Sequence, residues 1–141
     1  MKVNIHITEV CNYHCKHCFA HFPQNGKLVA DLWKIVLDNL AESRMVDAIN
    51  FAGGEPLLYY SFSEVAKYAK KKELSLSLIT NGSLIKSGIF FPKDLFPLFD
   101  MIGFSIDSLD EKTLFNIGRR DANNKVMSKE ETISILNYAK E

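Results

Sequence analysis

Eight consecutive residues, Cys11-Asn12-Tyr13-His14-Cys15-Lys16-His17-Cys18, hold every cysteine of the chain. Three thiols in so short a run cannot make a disulfide framework, because pairing leaves one over and the enclosed loops are too tight. At positions i, i+4 and i+7 they could line one face of a helix, where buried cysteine behaves as a small hydrophobe. The residues between them are mostly polar, which makes a buried helix a poor home. Metal remains. Iron–sulfur clusters are ordinarily held by four thiolates, so three suggest a cluster with one iron left open to another ligand. The competing reading is structural zinc bound by the three cysteines with His14, His17 or His21. Structural zinc, however, commonly takes ligand pairs well separated in sequence, and no second pair exists here.

The rest of the composition narrows the class. At 141 residues and 47% hydrophobic, the chain can bury one core as a single domain over 1–141. It carries 17 basic and 17 acidic residues. That balance leaves no basic excess for a nucleic-acid polymer or an anionic membrane surface. No apolar run reaches the length of a membrane span, and the polar start does not read as a signal peptide. Free thiols without a leader point to the reducing cytoplasm.

Taken in order, residues 2–8 alternate strictly, with Val3, Ile5 and Ile7 on one side and Asn4, His6 and Thr8 on the other. That is the period of a strand, whose polar face could meet a substrate at His6 if it lined a barrel. Pro23 and Asn25-Gly26 punctuate a loop. Asp31 can cap a helix to about Ser43 with an apolar stripe of Leu32, Ile35, Val36 and Leu40. Residues 46–51 read as a second strand, ending in Ala52-Gly53-Gly54-Glu55-Pro56. Ser61 and Glu64 form a capping box for a helix over 61–72, whose last turn carries Lys67, Lys70, Lys71 and Lys72 as solvated complements of the dipole. A third strand covers 74–79 and closes at Thr80-Asn81-Gly82-Ser83. After a Phe-rich, Pro-broken connection a fourth covers 100–106. A short helix over 110–116 and one opened by the Ser128/Glu131 capping box complete the pattern.

Strand and helix alternate throughout, so the expected class is α/β with a parallel sheet of about four strands. Each polar motif falls just past the C-terminal end of a strand. Barrels and open α/β sheets both place their chemistry on that rim.

The CxxxCxxC spacing after a first strand resembles the signature of the radical S-adenosylmethionine (SAM) enzymes, and Gly53-Gly54-Glu55-Pro56 resembles their GGEP motif. The resemblance extends further, to the viperin family in particular. It is carried by Asn4-Ile5-His6, Cys11-Asn12-Tyr13, Asn50-Phe51-Ala52, Asn81-Gly82-Ser83-Leu84-Ile85, Ser105-Ile106-Asp107-Ser108-Leu109-Asp110-Glu111 and Ile117-Gly118-Arg119, in one order over residues 3–120.

That resemblance implies a fold, the first part of a partial (β/α)6 radical SAM barrel cut short on its C-terminal side. It implies a 4Fe–4S cluster on Cys11, Cys15 and Cys18, with SAM chelating the open iron. It places Gly53, Gly54, Glu55, Asn81, Ser105 and Arg119 around SAM, the acid near its amino group and the arginine on its carboxylate. Asn4, His6 and Asn50 become candidate substrate contacts. The implied reaction is cleavage of SAM to a 5′-deoxyadenosyl radical acting on a ribonucleoside triphosphate, giving a didehydro-deoxy nucleotide in antiviral defence. An electron donor of the flavodoxin or ferredoxin type is implied too. Where animal members carry a basic residue and a serine, this chain has Ala48 and Ala52. The alternatives are a radical SAM peptide-modifying maturase and a non-catalytic Cys3His zinc module. An open edge at the fourth strand would favour self-association or a partner.

Overall fold

The computed structural model describes residues 1–20, 28–85 and 93–139. His21, the Pro23 and Asn25-Gly26 punctuation and the Phe90-Phe91-Pro92 part of the connection lie outside them. Four strands, β1 (Lys2–Thr8), β2 (Ala48–Gly53), β3 (Ser75–Thr80) and β4 (Met101–Phe104), form one parallel sheet in the order β1-β2-β3-β4. Spatial order therefore follows chain order. Each strand sits beside its predecessor, as in a barrel wall, rather than doubling back as in a doubly wound sheet.

The helices α1 (Ala30–Glu42), α2 (Phe62–Lys71), α3 (Glu111–Asn116) and α4 (Lys129–Tyr138) supply the connections and the cover. On β1 the alternation resolves as read, with Ile5 and Ile7 buried and Asn4 and His6 exposed. Phe51, Ile49, Leu76 and Leu78 continue that apolar layer across the sheet, meeting Leu37, Val65, Ala66 and Phe62 from the helices. Each such side chain taken fully from water contributes about 1.5–3 kcal/mol. Phe51 meets Phe62 and Phe99 edge-on at 5.6 and 6.5 Å, and Phe62 stacks on Phe99 at 6.1 Å.

The opposite face of the sheet carries polar side chains. At one register Asn4, Asn50 and Ser77 stand side by side on β1, β2 and β3. Asn50 Nδ2 donates to Asn4 Oδ1 at 3.0 Å, and Ser77 Oγ donates to Asn50 Oδ1 at 2.9 Å.

Several local expectations need correction. α1 begins at Ala30 with Val29 as its uncapped N-terminal neighbour, and Asp31 instead pairs with Lys34 at 3.1 Å. Its buried stripe is Ala30, Trp33 and Leu37, flanked by Val36 and Leu40, while Leu32 and Ile35 face solvent. Trp33, the bulkiest side chain of the helix, is buried with Leu37 one turn on, and that pair sets the phase. Ser61 precedes α2 without a side-chain cap, and the Glu64 side chain pairs with Lys34 at 2.5 Å. β4 ends at Phe104, so Ser105 lies just beyond it. Three of the lysines read as merely solvated have acidic partners: Lys67–Asp94 at 3.0 Å, Lys70–Asp100 at 3.5 Å and Lys72–Asp38 at 2.7 Å. Being exposed, such pairs contribute little. The Ser128/Glu131 capping box is present in both directions. Among the described residues no helix is long and apolar enough to cross a membrane.

Candidate functional site

The cysteine loop leaves β1 and is fixed from three sides by backbone contacts. From the β2 end, Gly54 N–H donates to Thr8 O and Glu55 N–H to Val10 O, both at 2.8 Å. The approach is so close that a Cβ on Gly54 would fall 2.3 Å from Val10 O. Gly53, at φ +143°, would likewise meet Thr8 O at 2.3 Å. The two glycines are thus required by the chain beside them before any ligand is considered. From the α3 end, Lys16 N–H donates to Ile117 O at 2.8 Å. Gly118, at φ +77°, rests where a Cβ would lie 2.5 Å from His14 O.

The third hold comes from the turn after β3. Asn81 Nδ2 donates to Asn12 Oδ1 at 2.9 Å, and Asn12 Nδ2 donates to Ser83 Oγ at 2.9 Å. Ser83 returns its hydroxyl to Asn81 Oδ1 at 2.6 Å, which closes a three-residue ring. Asn81 Nδ2 also lies 3.9 Å from Cys11 Sγ.

Cys11, Cys15 and Cys18 are half-buried. Burial pushes the Cys11 and Cys15 thiols up, while the Arg119 guanidinium pulls Cys15 back toward the thiolate. Among the described residues no three His, Cys, Asp or Glu side chains converge tightly enough for a single ion. A cubane cluster spreads its thiolates over separate irons, so an open loop of three soft sulfur donors suits it.

All three cysteines open onto one cavity of about 400 Å³. Its wall includes Gly53, Gly54, Asn81, Ser105 and Arg119, and its floor is the polar sheet face with Asn4, His6 and Asn50. The residues singled out in the sequence therefore meet in one place, with Glu55 the exception. Its side chain is fully buried behind the wall. There Oε1 accepts from Thr80 Oγ1 at 2.7 Å and Leu57 N–H at 3.2 Å, and Oε2 accepts from Asn81 N–H at 2.7 Å. Desolvation raises its pKa against the pull of those donors.

Arg119 is buried as well. Its Nη1 donates to Asp107 Oδ2 at 2.8 Å, Nη2 donates to the Ser105 carbonyl, and its Cζ lies 5.7 Å from the Tyr13 ring centroid. His17 Nε2 stands 3.6 Å from the other oxygen of Asp107. Tyr13, His17, Phe19 and Asp107 line the same cavity and were not assigned a place in it from sequence. For Asp107 the available signal was a charge placed immediately past a strand end.

A family model described as the radical SAM superfamily matches residues 5–141. The chain is 45% identical over 139 residues to the S-adenosylmethionine-dependent nucleotide dehydratase of Selenomonas ruminantium, an alignment covering 99% of this chain and 51% of that protein. With the protein of the same name from Psychrobacter lutiphocae it is 40% identical over 158 residues, covering 96% of this chain and 50% of the relative. The chain thus spans about half the length of the curated relatives it matches. Among solved structures, Streptococcus suis SuiB bound to S-adenosylmethionine superposes with a TM-score of 0.75 at 19% identity, over 98% of this chain and 31% of SuiB. At that identity the likeness concerns the fold.

Proposed function

The chain belongs to the radical SAM superfamily, and from that premise we propose that it forms the cluster- and SAM-binding part of a viperin-like nucleotide dehydratase. Cys11, Cys15 and Cys18 hold a 4Fe–4S cluster. Gly53, Gly54, Asn81, Ser105 and Arg119 surround SAM, and Asn4, His6 and Asn50 meet the nucleotide. Glu55 serves the SAM subsite from behind the wall, through the strand ends that it ties together. The observation that carries this reading is that three thiols, a buried arginine and a polar sheet face share one cavity at the C-terminal rim of a parallel sheet.

The chemistry such a cluster supplies when bound is a single electron for reductive cleavage of SAM. The protein's own contribution is placement. The thiols must give up their protons to bind iron, and the neighbouring Arg119 favours that for Cys15. Arg119 offers a guanidinium of the shape that pairs with a carboxylate. On the floor, the Asn4–Asn50–Ser77 ladder offers amide groups to a polar substrate on a rigid strand surface. An electron donor of the flavodoxin or ferredoxin type would meet the cysteine rim.

Identity with nucleotide dehydratases at 45% favours a nucleotide over a peptide substrate. The remaining half of such a protein would close the barrel and bring the cations that a triphosphate requires. Anaerobic reconstitution with iron and sulfide tests the reading. The expected outcome is four irons and four sulfides per chain, on the order of a full cluster, and release of 5′-deoxyadenosine from SAM on reduction. Retention of zinc with no iron uptake would favour the zinc module instead.

A further inference from the structure

Arg119 is a buried cation in a cavity that, on the reading above, must hold SAM while a triphosphate is also present. An unpaired guanidinium there would bind any phosphate oxygen offered to it. The structure does not leave it unpaired. Asp107 Oδ2 lies 2.8 Å from Arg119 Nη1, and Asp107 Oδ1 faces His17 Nε2 at 3.6 Å. The Ser105 carbonyl takes Nη2, and the Tyr13 ring covers one face of the guanidinium. Asp107 is itself only one-third exposed, so its charge acts at short range and with reduced screening. His17, Asp107 and Arg119 come from the cysteine loop, the β4 exit and the α3 exit, and all three line the cavity.

We propose that Asp107 is a specificity-determining residue of the SAM subsite: it fixes Arg119 and makes that wall formally neutral, so that the wall accepts the zwitterionic amino-acid end of SAM and refuses polyphosphate. The proposal rests on the SAM reading above. SAM carries an ammonium and a sulfonium beside its carboxylate, and a wall with one cation and one anion matches it. A triphosphate carries only negative charge and meets Asp107 as a like charge. The consequence is directional. Removing the charge of Asp107 while keeping its shape weakens SAM and strengthens polyphosphate. A merely structural role would move both affinities together.

The test uses the reconstituted full chain, wild type and Asp107→Asn, with SAM and inorganic tripolyphosphate titrated separately by calorimetry. One neighbouring charge at a partly buried site changes the affinity of each ligand several-fold. The ratio of SAM to tripolyphosphate affinity should therefore fall by about tenfold or more in the variant, a factor that corresponds to 1.4 kcal/mol. Arg119→Ala is a second variant, in which Asp107→Asn should improve tripolyphosphate binding less than it does beside Arg119, because only the like-charge repulsion is then relieved. An unchanged ratio, with both affinities lowered or both kept, overturns the proposal while the SAM site stands. Failure of the reconstituted wild type to bind SAM removes the site reading itself, and the proposal with it.

Discussion

The Glu55 carboxylate accepts a 2.7 Å hydrogen bond from the backbone N–H of Asn81, and through Asn81 it is one residue removed from Cys11. A fully buried acid thus ties the end of β2 to the end of β3 and reaches the cysteine loop. Because desolvation raises its pKa, the folded chain holds the Glu55 proton more tightly than the unfolded chain does. The cost of burying the carboxylate is absent below the ordinary carboxylate range and fully present above the raised value. Its contribution therefore lowers stability as pH rises through that window. Glu55→Gln removes this slope, and it turns an amide N–H₂ either toward the Asn81 N–H or toward the Thr80 hydroxyl and Leu57 N–H. We expect denaturant unfolding to show a flatter pH profile in the variant and a loss of about 1–3 kcal/mol at neutral pH. An unchanged profile would detach the carboxylate from the pH dependence.

Gly54 and Gly118 make a second, purely steric prediction. The Cβ of Gly54→Ala would sit 2.3 Å from Val10 O, and that of Gly118→Ala 2.5 Å from His14 O, both backbone atoms that cannot step aside as a side-chain tip can. Each substitution should cost about 1–3 kcal/mol, with Gly118 also strained at its positive φ. Because both contacts hold the cysteine loop, iron content after reconstitution should fall along with the unfolding midpoint. Gly82→Ala, at φ +79° and with the Phe104 ring 3.2 Å from its Cβ, strains the third hold in the same way, the Asn81–Asn12–Ser83 ring.

These contacts also mark how far the sequence could be read. The parallel α/β order, the phase of β1 and the Ser128 cap follow from local pattern, and local pattern suffices for them. The phase of α1 does not, because Leu32 and Ile35 compete with Trp33 and Leu37 for the core and only packing decides. The role of Gly118 is invisible for a different reason: it is set by His14, far away in the chain. Asp107 is partnered by Arg119, 12 residues on, and by His17, so its place appears only when three loops meet. Glu55 shows the reverse case, a motif residue whose number was legible but whose side chain points into the wall rather than the cavity.

Each cysteine should be indispensable for the cluster. Cys15 lies between the other two thiols in the loop and nearest in sequence to the Lys16–Ile117 tie. Cys15→Ala should reduce bound iron by most of its wild-type amount and abolish 5′-deoxyadenosine release, as measured anaerobically with the same reconstitution. The fold should survive, because no core side chain is removed. A variant that still releases 5′-deoxyadenosine would take Cys15 out of the ligand set.

The last prediction concerns the edge of the sheet. β4 is hydrogen-bonded to β3 on one side only, and Met101 at its start is 51% exposed. An unpaired strand edge offers N–H and C=O groups to any second strand. The polar ladder ends at Ser77, the register partner of Met101 on that edge, and a closed barrel would cover it. The 141-residue chain alone should therefore self-associate, and its mass by light scattering should rise with concentration. It should also form no dehydrated nucleotide from a ribonucleoside triphosphate, since the described cavity wall pairs its one arginine with Asp107 and lends no further lysine or arginine to the phosphates. Replacing Met101 with Lys places a charge on the edge and should shift the chain toward monomer. A wild-type chain that stays monomeric at all concentrations while converting the triphosphate would show that four strands are enough.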